Sequence, residues 1–250
     1  MSVLYIVGTP IGNLEDISLR ALRILGSVDF ILCEDTRVTK KLLEHYKINT
    51  PTVSYHEHSD ERKINEILTF LADGKSLALV TDAGTPGISD PGGKLIGRVI
   101  ERFNIGADPD APVQIESVPG PSAVTAALSI SGIPTDKFVF MGFPPHKKGR
   151  QTFLRKIIES EYPVVVYESK YRILKFLDEL KRISEGKLVL WSEDEADEMK
   201  KKIHLTSIVV FRELSKMHET VYRGNLDSVI EKIKSKPEEQ KGEFVVVIGK

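Results

Sequence analysis

The sequence has a single cysteine, Cys33, among 250 residues. One thiol excludes an internal disulfide framework and a zinc site built from several cysteines. An excess of either charge is also lacking, because 35 Lys and Arg stand against 36 Asp and Glu, which gives a formal net charge of −1. A nucleic-acid partner would therefore have to be bound by local basic patches.

Long apolar runs are lacking as well, since none approaches the ~20 residues of a membrane-spanning helix. The N-terminal stretch has no charged segment and no cleavage motif of the kind that marks a signal peptide. These absences predict a cytoplasmic protein. Apolar residues make up 41% and charged residues 28% of the chain, as in soluble globular proteins.

Apolar runs alternate with amphipathic segments in the first half of the chain. Runs at 4–7, 30–33, 52–55, 77–80 and 113–118 predict strands. Segments at 19–25, 40–46, 61–72 and 94–103 predict helices between them. Alternation of this kind, with continuously apolar strands, predicts an α/β domain whose mainly parallel sheet is covered on both faces.

The pattern changes after Val118, where Pro119-Gly120-Pro121 predicts a boundary between domain 1–118 and domain 119–250. A helix of small residues is predicted at 122–131. Strand candidates follow at 138–140, 164–167, 188–191, 208–211 and 244–248, and helix candidates at 151–158, 172–183 and 226–234. Near-hairpin spacing between 205 and 223 predicts a mixed sheet, and segment 193–202, acidic then basic, is typical of a solvated helix or loop.

Four polar or glycine-containing stretches follow predicted strands, at 8–13, 34–37, 56–58 and 81–93. Because parallel strands end at one edge of their sheet, we expect these stretches to line one trough. The last, which we call the glycine-rich loop (residues 81–93), leads from a strand into a helix. Such turns present backbone N–H groups to ligands, so it predicts a cofactor site. Ordinary turn chemistry is the alternative for any single stretch.

Neither glycine-containing turn has the spacing of a dinucleotide fingerprint or a phosphate-binding P-loop, which argues against those cofactors. Glu34, Asp35 and Arg37 form either a general base with an electrostatic partner or an ion-pair cluster that fixes the loop. His56 and His58 predict substrate contacts or structural hydrogen bonds. No further ligands accompany them, so no metal site is predicted.

Basic residues cluster in the second half of the chain. His146, Lys147, Lys148 and Arg150 follow a Gly-Phe-Pro-Pro turn, and Lys216 lies near His218. Lysine and arginine neutralise phosphates without reading sequence, so the first cluster predicts contacts with a nucleic-acid backbone. Solvated helix faces are the alternative.

Six motifs, taken in order, closely resemble those of the tetrapyrrole (corrin/porphyrin) methylase superfamily, in particular its members that modify ribosomal RNA. They lie at 8–14, 33–37, 54–58, 82–92, 118–123 and 212–219. The resemblance implies two α/β domains, S-adenosyl-L-methionine in the cleft between them, and a homodimer. It also implies 2′-O-methylation of a cytidine ribose in the decoding region of small-subunit (16S) rRNA, as free rRNA or as the 30S particle.

The resemblance also implies roles for residues. Donor contacts are expected at Ile11, Asp82, Gly84, Thr85, Ile88, Ser122, Ala123, Val124, Tyr167 and Arg212. The first glycine turn faces the substrate in this superfamily. With the histidines and basic residues, it gives the expected substrate contacts Thr9, Asn13, His56, His58, Lys147, Lys148, Arg150 and Lys216.

Catalysis of methyl transfer requires alignment of the ribose hydroxyl with the methyl group and a base for its proton. We expect Glu34 or Asp35 to be or to orient that base, with Arg37 contacting phosphate. The chain departs from the superfamily pattern at Lys170, where proline is frequent, and at Ser215, where threonine is usual. Methylation of a tetrapyrrole precursor and a non-enzymatic role in ribosome assembly are the alternative functions.

Overall fold

A computed structural model of the chain describes residues 1–108, 110–188, 190, 205 and 207–249. The chain divides into two units, Met1–Ser122 and Ala123–Lys250. Within the described ranges, each unit contains a five-stranded sheet covered by helices. The predicted α/β fold class, with a parallel first sheet and a mixed second sheet, is confirmed. Among the helices in the described ranges, none is both long and apolar enough to cross a membrane.

The first unit has an all-parallel sheet in the order β3-β2-β4-β1-β5. Its strands are β1 Ser2–Val7, β2 Phe30–Cys33, β3 Thr52–Ser54, β4 Leu77–Leu79 and β5 Val113–Val118. Its helices are α1 Leu19–Leu25, α2 Thr36–His45, α3 Glu61–Ala72 and α4 Gly92–Phe103, with a 3-10 turn at Leu14–Asp16. α1 and α2 cover one face of the sheet, and α3 and α4 cover the other, which explains the continuously apolar strands.

The second unit has the strand order β6-β7-β10-β8-β9. Its strands are β6 Val139–Phe140, β7 Val164–Ser169, β8 Ile208–Arg212, β9 Thr220–Gly224 and β10 Glu243–Ile248. Its helices among the described residues are α5 Ala123–Ser129, α6 Arg150–Glu159, α7 Ile173–Ser184 and α8 Leu226–Lys234, with a 3-10 turn at Pro237–Gln240. β6 and β7 are parallel, whereas β7–β10, β10–β8 and β8–β9 are antiparallel. The antiparallel pairing predicted between 205 and 223 is therefore confirmed.

Several helix starts and ends differ from the sequence prediction, and for α2 the reason is a side-chain cap. α2 begins at Thr36 rather than at 40, since the Asp35 side chain accepts a hydrogen bond from the Arg37 N–H at 2.8 Å and caps the helix. α4 begins at Gly92 rather than at 94, and α5 occupies Ala123–Ser129 rather than 122–131. The predicted strand 188–191 lies partly, and segment 193–202 wholly, outside the described residues.

Two glycines let the loops after β1 and β5 approach closely. A Cβ placed on Gly8 would lie 2.8 Å from the Gly120 Cα, and a Cβ on Gly120 would lie 2.8 Å from the Gly8 carbonyl oxygen. Both clashes are with backbone atoms, so no side-chain rotation could relieve them. The absence of a side chain at both positions is therefore required by this contact.

We expect Gly8→Ala to destabilise the first unit by about 1–3 kcal/mol through overpacking. Gly97→Ala is the matched control, because Gly97 lies inside α4 with open space around its Cβ position. That variant should gain about 0.5–1 kcal/mol from the reduced flexibility of the unfolded chain. Urea unfolding followed by circular dichroism measures both changes, and wild-type stability in Gly8→Ala would contradict the packing argument.

Candidate active site

The carboxyl ends of the five parallel strands place five loops on one edge of the first sheet. The loops follow Val7, Cys33, Ser54, Leu79 and Val118. They include all four polar or glycine-containing stretches found in the sequence. In an open parallel sheet this edge is the usual place for a ligand.

The first glycine turn braces the glycine-rich loop. The Thr9 N–H donates to the Gly84 carbonyl at 2.9 Å, and the Gly84 N–H donates to the Thr9 carbonyl at 3.1 Å. The buried Thr9 hydroxyl donates to the Thr81 carbonyl at 3.1 Å. Thr9, expected to contact substrate, thus uses its hydroxyl inside the protein. Gly84 has φ +90°, and Ile11 Cγ2 lies 3.6 Å from its Cβ position.

Asp90 organises the second half of the glycine-rich loop. Its Oδ1 accepts hydrogen bonds from the N–H groups of Gly87 and Gly92, each at 2.7 Å. In this part of the loop, Gly87 and Ser89 have φ values of +86° and +61°, so the backbone turns sharply. Ile88, which lies between these two residues, is exposed. Sequence reasoning gave Asp90 no role, although an aspartate in a tight turn beside glycine favours this kind of hydrogen bond.

Thr85 connects the glycine-rich loop to the end of the first unit. Its hydroxyl donates to the Pro121 carbonyl at 3.3 Å. Pro121 also lies near Gly84, with its carbonyl oxygen 3.8 Å from the Gly84 Cβ position. Ser122, another expected donor contact, follows directly in the chain. Within the first unit, the structure thus brings Ile11, Gly84, Thr85 and the segment before Ser122 together.

Asp35 is held in its ionised form. The Arg37 guanidinium contacts it at 2.6 Å (Nη2 to Oδ2), and this hydrogen-bonded ion pair lowers the pKa of Asp35 to about 2. The Asp35 N–H in turn donates to Asp82 Oδ1 at 3.1 Å. An acid with so low a pKa is a weak proton acceptor, so Asp35 fixes Arg37 and caps α2.

Glu34 has the opposite electrostatic environment. Partial burial raises the pKa of its carboxyl, and the nearby charges of Asp82 and Asp90 raise it further, against a smaller lowering by His56. Burial also raises the pKa of Asp82. Neighbouring carboxylates with pKa values shifted in opposite directions are typical of an acid–base site.

The remaining predicted residues of this edge form local contacts. The His56 N–H donates to the Ser59 hydroxyl at 2.9 Å, while the exposed rings of His56 and His58 lie edge to face at 6.3 Å. Asn13 Oδ1 accepts a hydrogen bond from the Glu15 N–H at 3.1 Å and caps the following 3-10 turn. Within the described ranges, no three His, Cys, Asp or Glu side chains form a group that could hold a metal ion.

In the second unit, three expected donor contacts lie together. Val124 and Ala123, in the first turn of α5, belong to the same apolar cluster as Tyr167 at the end of β7. Burial raises the pKa of the Tyr167 hydroxyl, partly offset by a backbone hydrogen bond with Val124. The Phe140 and Phe143 rings pack against Tyr167 with centroid distances of 4.9 and 5.3 Å.

The structure separates Arg150 from the lysines beside it. Its side chain is only 7% exposed and pairs with Glu179 at 2.6 Å, and it also donates to the Pro145 carbonyl at 2.9 Å. Lys147 and Lys148 are exposed. The expectation that Arg150 contacts substrate is therefore corrected, because its guanidinium is buried in an internal ion pair.

Arg212 and Lys216 are likewise engaged within the second unit. Lys216 Nζ lies 2.8 Å from Glu243 and 3.1 Å from Glu213. The buried Arg212 guanidinium donates at 2.7–3.2 Å to three backbone carbonyls, those of Lys241, His218 and Glu238. These side chains hold the segment after β8 in place, which is a different role from the donor and substrate contacts expected of them.

Comparison with known proteins agrees with the fold. The family model for Tetrapyrrole (Corrin/Porphyrin) Methylases matches residues 3–230. Among solved structures, the chain is similar to a cobalt precorrin-4 methyltransferase of cobalamin biosynthesis, with a TM-score of 0.61 and 19% identity over 99% of this chain and 94% of that one. The methyltransferase CobJ gives a TM-score of 0.63 with 15% identity over 100% and 94%.

Curated relatives are more similar in sequence. Proteins named ribosomal RNA small subunit methyltransferase I match at 40% identity in Synechocystis (100% of this chain, 79% of the relative), 41% in Hydrogenobaculum (99% and 95%) and 38% in Thermotoga maritima (100% and 99%). The chain therefore belongs to the tetrapyrrole (corrin/porphyrin) methylases and, within them, to the family of the ribosomal RNA small subunit methyltransferase I proteins.

Proposed function

We propose that this protein transfers a methyl group from S-adenosyl-L-methionine to the 2′-hydroxyl of a cytidine ribose in the decoding region of small-subunit rRNA. The observation that carries the proposal is the similarity over the whole chain to relatives named for this rRNA methyltransferase. We propose further that the enzyme works as a homodimer in the cytoplasm.

In the first unit, Gly84, Thr85 and Ile88 would hold the donor. The loop fits this role because Asp90 and Thr9 fix its backbone through hydrogen bonds. Gly84 and Gly87 have positive φ values, a conformation that glycine adopts readily because it has no side chain. The donor's sulfonium supplies an electrophilic methyl group. In the second unit, Ala123, Val124 and Tyr167 would contribute a small-residue helix start and a buried ring.

Glu34 would accept the proton of the ribose hydroxyl. Its raised pKa makes it a better proton acceptor than Asp35, whose pKa is about 2. Asp35 would position the loop through Arg37 and Asp82. The exposed Arg37 guanidinium remains able to contact a phosphate of the substrate.

An assay with radiolabelled S-adenosyl-L-methionine tests the proposed function. The expected result is label in rRNA, with naked rRNA and 30S particles tested in parallel to identify the accepted form. Label in a tetrapyrrole precursor, or in no acceptor, would contradict the proposal. Those two outcomes correspond to a small-molecule methylase and to a non-enzymatic assembly factor.

Glu34→Gln should lower kcat by about 10²–10⁴-fold at neutral pH, because the amide cannot take the proton. Since the pKa of Glu34 is raised, wild-type activity should rise with pH through a value above the ordinary 4.5 of glutamate. This rise of activity with pH should disappear in Glu34→Gln and persist in Asp35→Asn. Full turnover by Glu34→Gln, with normal binding of both substrates, would exclude the role of Glu34 as base.

Asp90→Ala should weaken donor binding by about tenfold or more, because two backbone N–H groups of the glycine-rich loop lose their acceptor. Isothermal titration calorimetry with S-adenosyl-L-methionine measures the change. Asn225→Ala is the matched control, since it removes a side-chain acceptor for the Ser228 N–H at the start of α8. Equal donor affinity in the two variants would contradict a role for Asp90 in shaping the loop.

Reversing both charges in Lys147→Glu/Lys148→Glu should weaken rRNA binding and lower the slope of log K against log salt, because fewer phosphate counterions are released. Donor affinity should stay unchanged. The control is Lys156→Glu/Lys187→Glu, which makes the same change in net charge at two exposed lysines near the ends of α6 and α7. If both pairs weakened binding equally, a specific contact at 147–148 would be excluded.

A further inference from the structure

Two surface segments of the second unit lie side by side. The first, which we call the basic loop, is residues 142–149 after β6; the second, the β7–α7 turn, is residues 169–172. β6 and β7 are parallel neighbours, so both segments leave the same edge of the sheet. The Tyr167 N–H donates to the Gly142 carbonyl at 2.9 Å, and Arg172 Nη1 donates to the Pro144 carbonyl at 2.9 Å.

Two arginines, each paired with a glutamate, donate hydrogen bonds to the backbone of the basic loop. Arg172 pairs with the buried Glu168 at 2.8 Å while it contacts the basic loop. Arg150 pairs with Glu179 at 2.6 Å and donates to the Pro145 carbonyl. Consecutive carbonyls of the basic loop are therefore bound to two arginines that are themselves neutralised. This arrangement gives the loop a fixed backbone, which reduces the entropy cost of binding a ligand.

The outer surface of the two segments is aromatic and basic. Tyr171 is 84% exposed and Phe143 is 52% exposed. Lys147, Lys148 and Lys170 are exposed as well, and Lys170 Nζ lies 4.9 Å from the centre of the Tyr171 ring. Neither segment contains an aspartate or a glutamate.

We propose that the basic loop and the β7–α7 turn bind single-stranded RNA, with an unpaired base stacked on the Tyr171 ring and neighbouring phosphates on the three lysines. The inference rests on the proposed function and adds the class of substrate element that is recognised. Unpaired bases are the part of RNA that proteins recognise by stacking on aromatic side chains. The lysines match the charge of the backbone on either side of such a base.

The arrangement favours RNA over a membrane surface. A membrane-binding segment needs a broad apolar face, such as that of an amphipathic helix. Here the exposed apolar groups of the two segments are the Phe143 and Tyr171 rings, on segments that also have three exposed lysines and no helical structure. Exposed rings and lysines on adjoining segments suit the bases and phosphates of a single strand.

The test compares Tyr171→Ala with Tyr171→Phe, which keeps the ring. Tyr162→Ala is the matched control, because the Tyr162 ring also lies under a lysine, with Lys137 Nζ 5.3 Å from its centre. Tyr162 precedes β7, so it lies at the opposite end of that strand from Tyr171. Fluorescence anisotropy with a labelled single-stranded fragment of small-subunit rRNA, and with the same fragment as a duplex, measures binding.

Tyr171→Ala should bind the single strand about tenfold more weakly, whereas Tyr171→Phe and Tyr162→Ala should bind like wild type. Duplex binding should change little in all three. Lys170→Ala should lower the salt slope by about 0.7, the value for one phosphate of a single strand. In Tyr171→Ala that slope should stay unchanged, because stacking releases no counterions.

The inference fails if Tyr171→Ala binds as wild type, if Tyr171→Phe binds as weakly as Tyr171→Ala, or if Tyr162→Ala loses as much affinity. It also fails if Tyr171→Ala loses binding to phosphatidylserine vesicles and keeps its binding to RNA. The radiolabel assay on the wild-type protein separates this failure from that of the proposed function. Methyl transfer to rRNA by wild type, with unchanged binding by Tyr171→Ala, would overturn the binding surface alone.

Discussion

The arrangement of loops at the carboxyl ends of the first unit's parallel strands depends on the contact between the Gly8 and Gly120 backbones. β1 lies between β4 and β5, so the loop after β1 must approach the segment after β5 on one side and the glycine-rich loop on the other. The first approach is allowed because neither glycine has a side chain, and the second is fixed by the two backbone hydrogen bonds between Thr9 and Gly84. Asp90 and Thr85 then fix the remainder of the loop, so hydrogen bonds within the protein hold the backbone of the proposed donor site.

Electrostatics gives adjacent residues on this edge different tasks. Glu34 and Asp35 are neighbours in sequence, but partial burial beside other carboxylates raises the pKa of one, and the Arg37 guanidinium lowers the pKa of the other. The same separation occurs among the cations of the second unit. Arg150 and Arg172 are neutralised by glutamates and position the backbone, whereas Lys147 and Lys170 remain at the surface. A positive charge alone therefore does not identify a binding residue. The contacts of the side chain show whether the charge is neutralised inside the protein or exposed at the surface.

The sequence allowed prediction of the features that depend on local pattern. Continuous apolar runs indicated the strands, and their alternation with amphipathic helices indicated the parallel sheet, because burial on both faces leaves few polar positions in a strand. It did not indicate the start of α2, which depends on the conformation of the Asp35 cap. Nor did it indicate that Arg150 pairs with Glu179, because those residues are 29 positions apart and meet only through the packing of α6 and α7. Asp90 likewise needed the folded turn before its two hydrogen bonds could be recognised.

The central place of β10 has a consequence for folding during synthesis. β7 and β8 do not pair with each other; each pairs with β10, which is made after both. In the first unit the strand made last, β5, lies at the edge and adds to pairs already formed. The first unit can therefore fold while the ribosome is still translating the second. In the second unit, the pair β6–β7 and the pair β8–β9 are joined into one sheet only when β10, Glu243–Ile248, has left the exit tunnel. Until then the apolar strands β7 and β8 each have an unpaired edge that another chain could pair with.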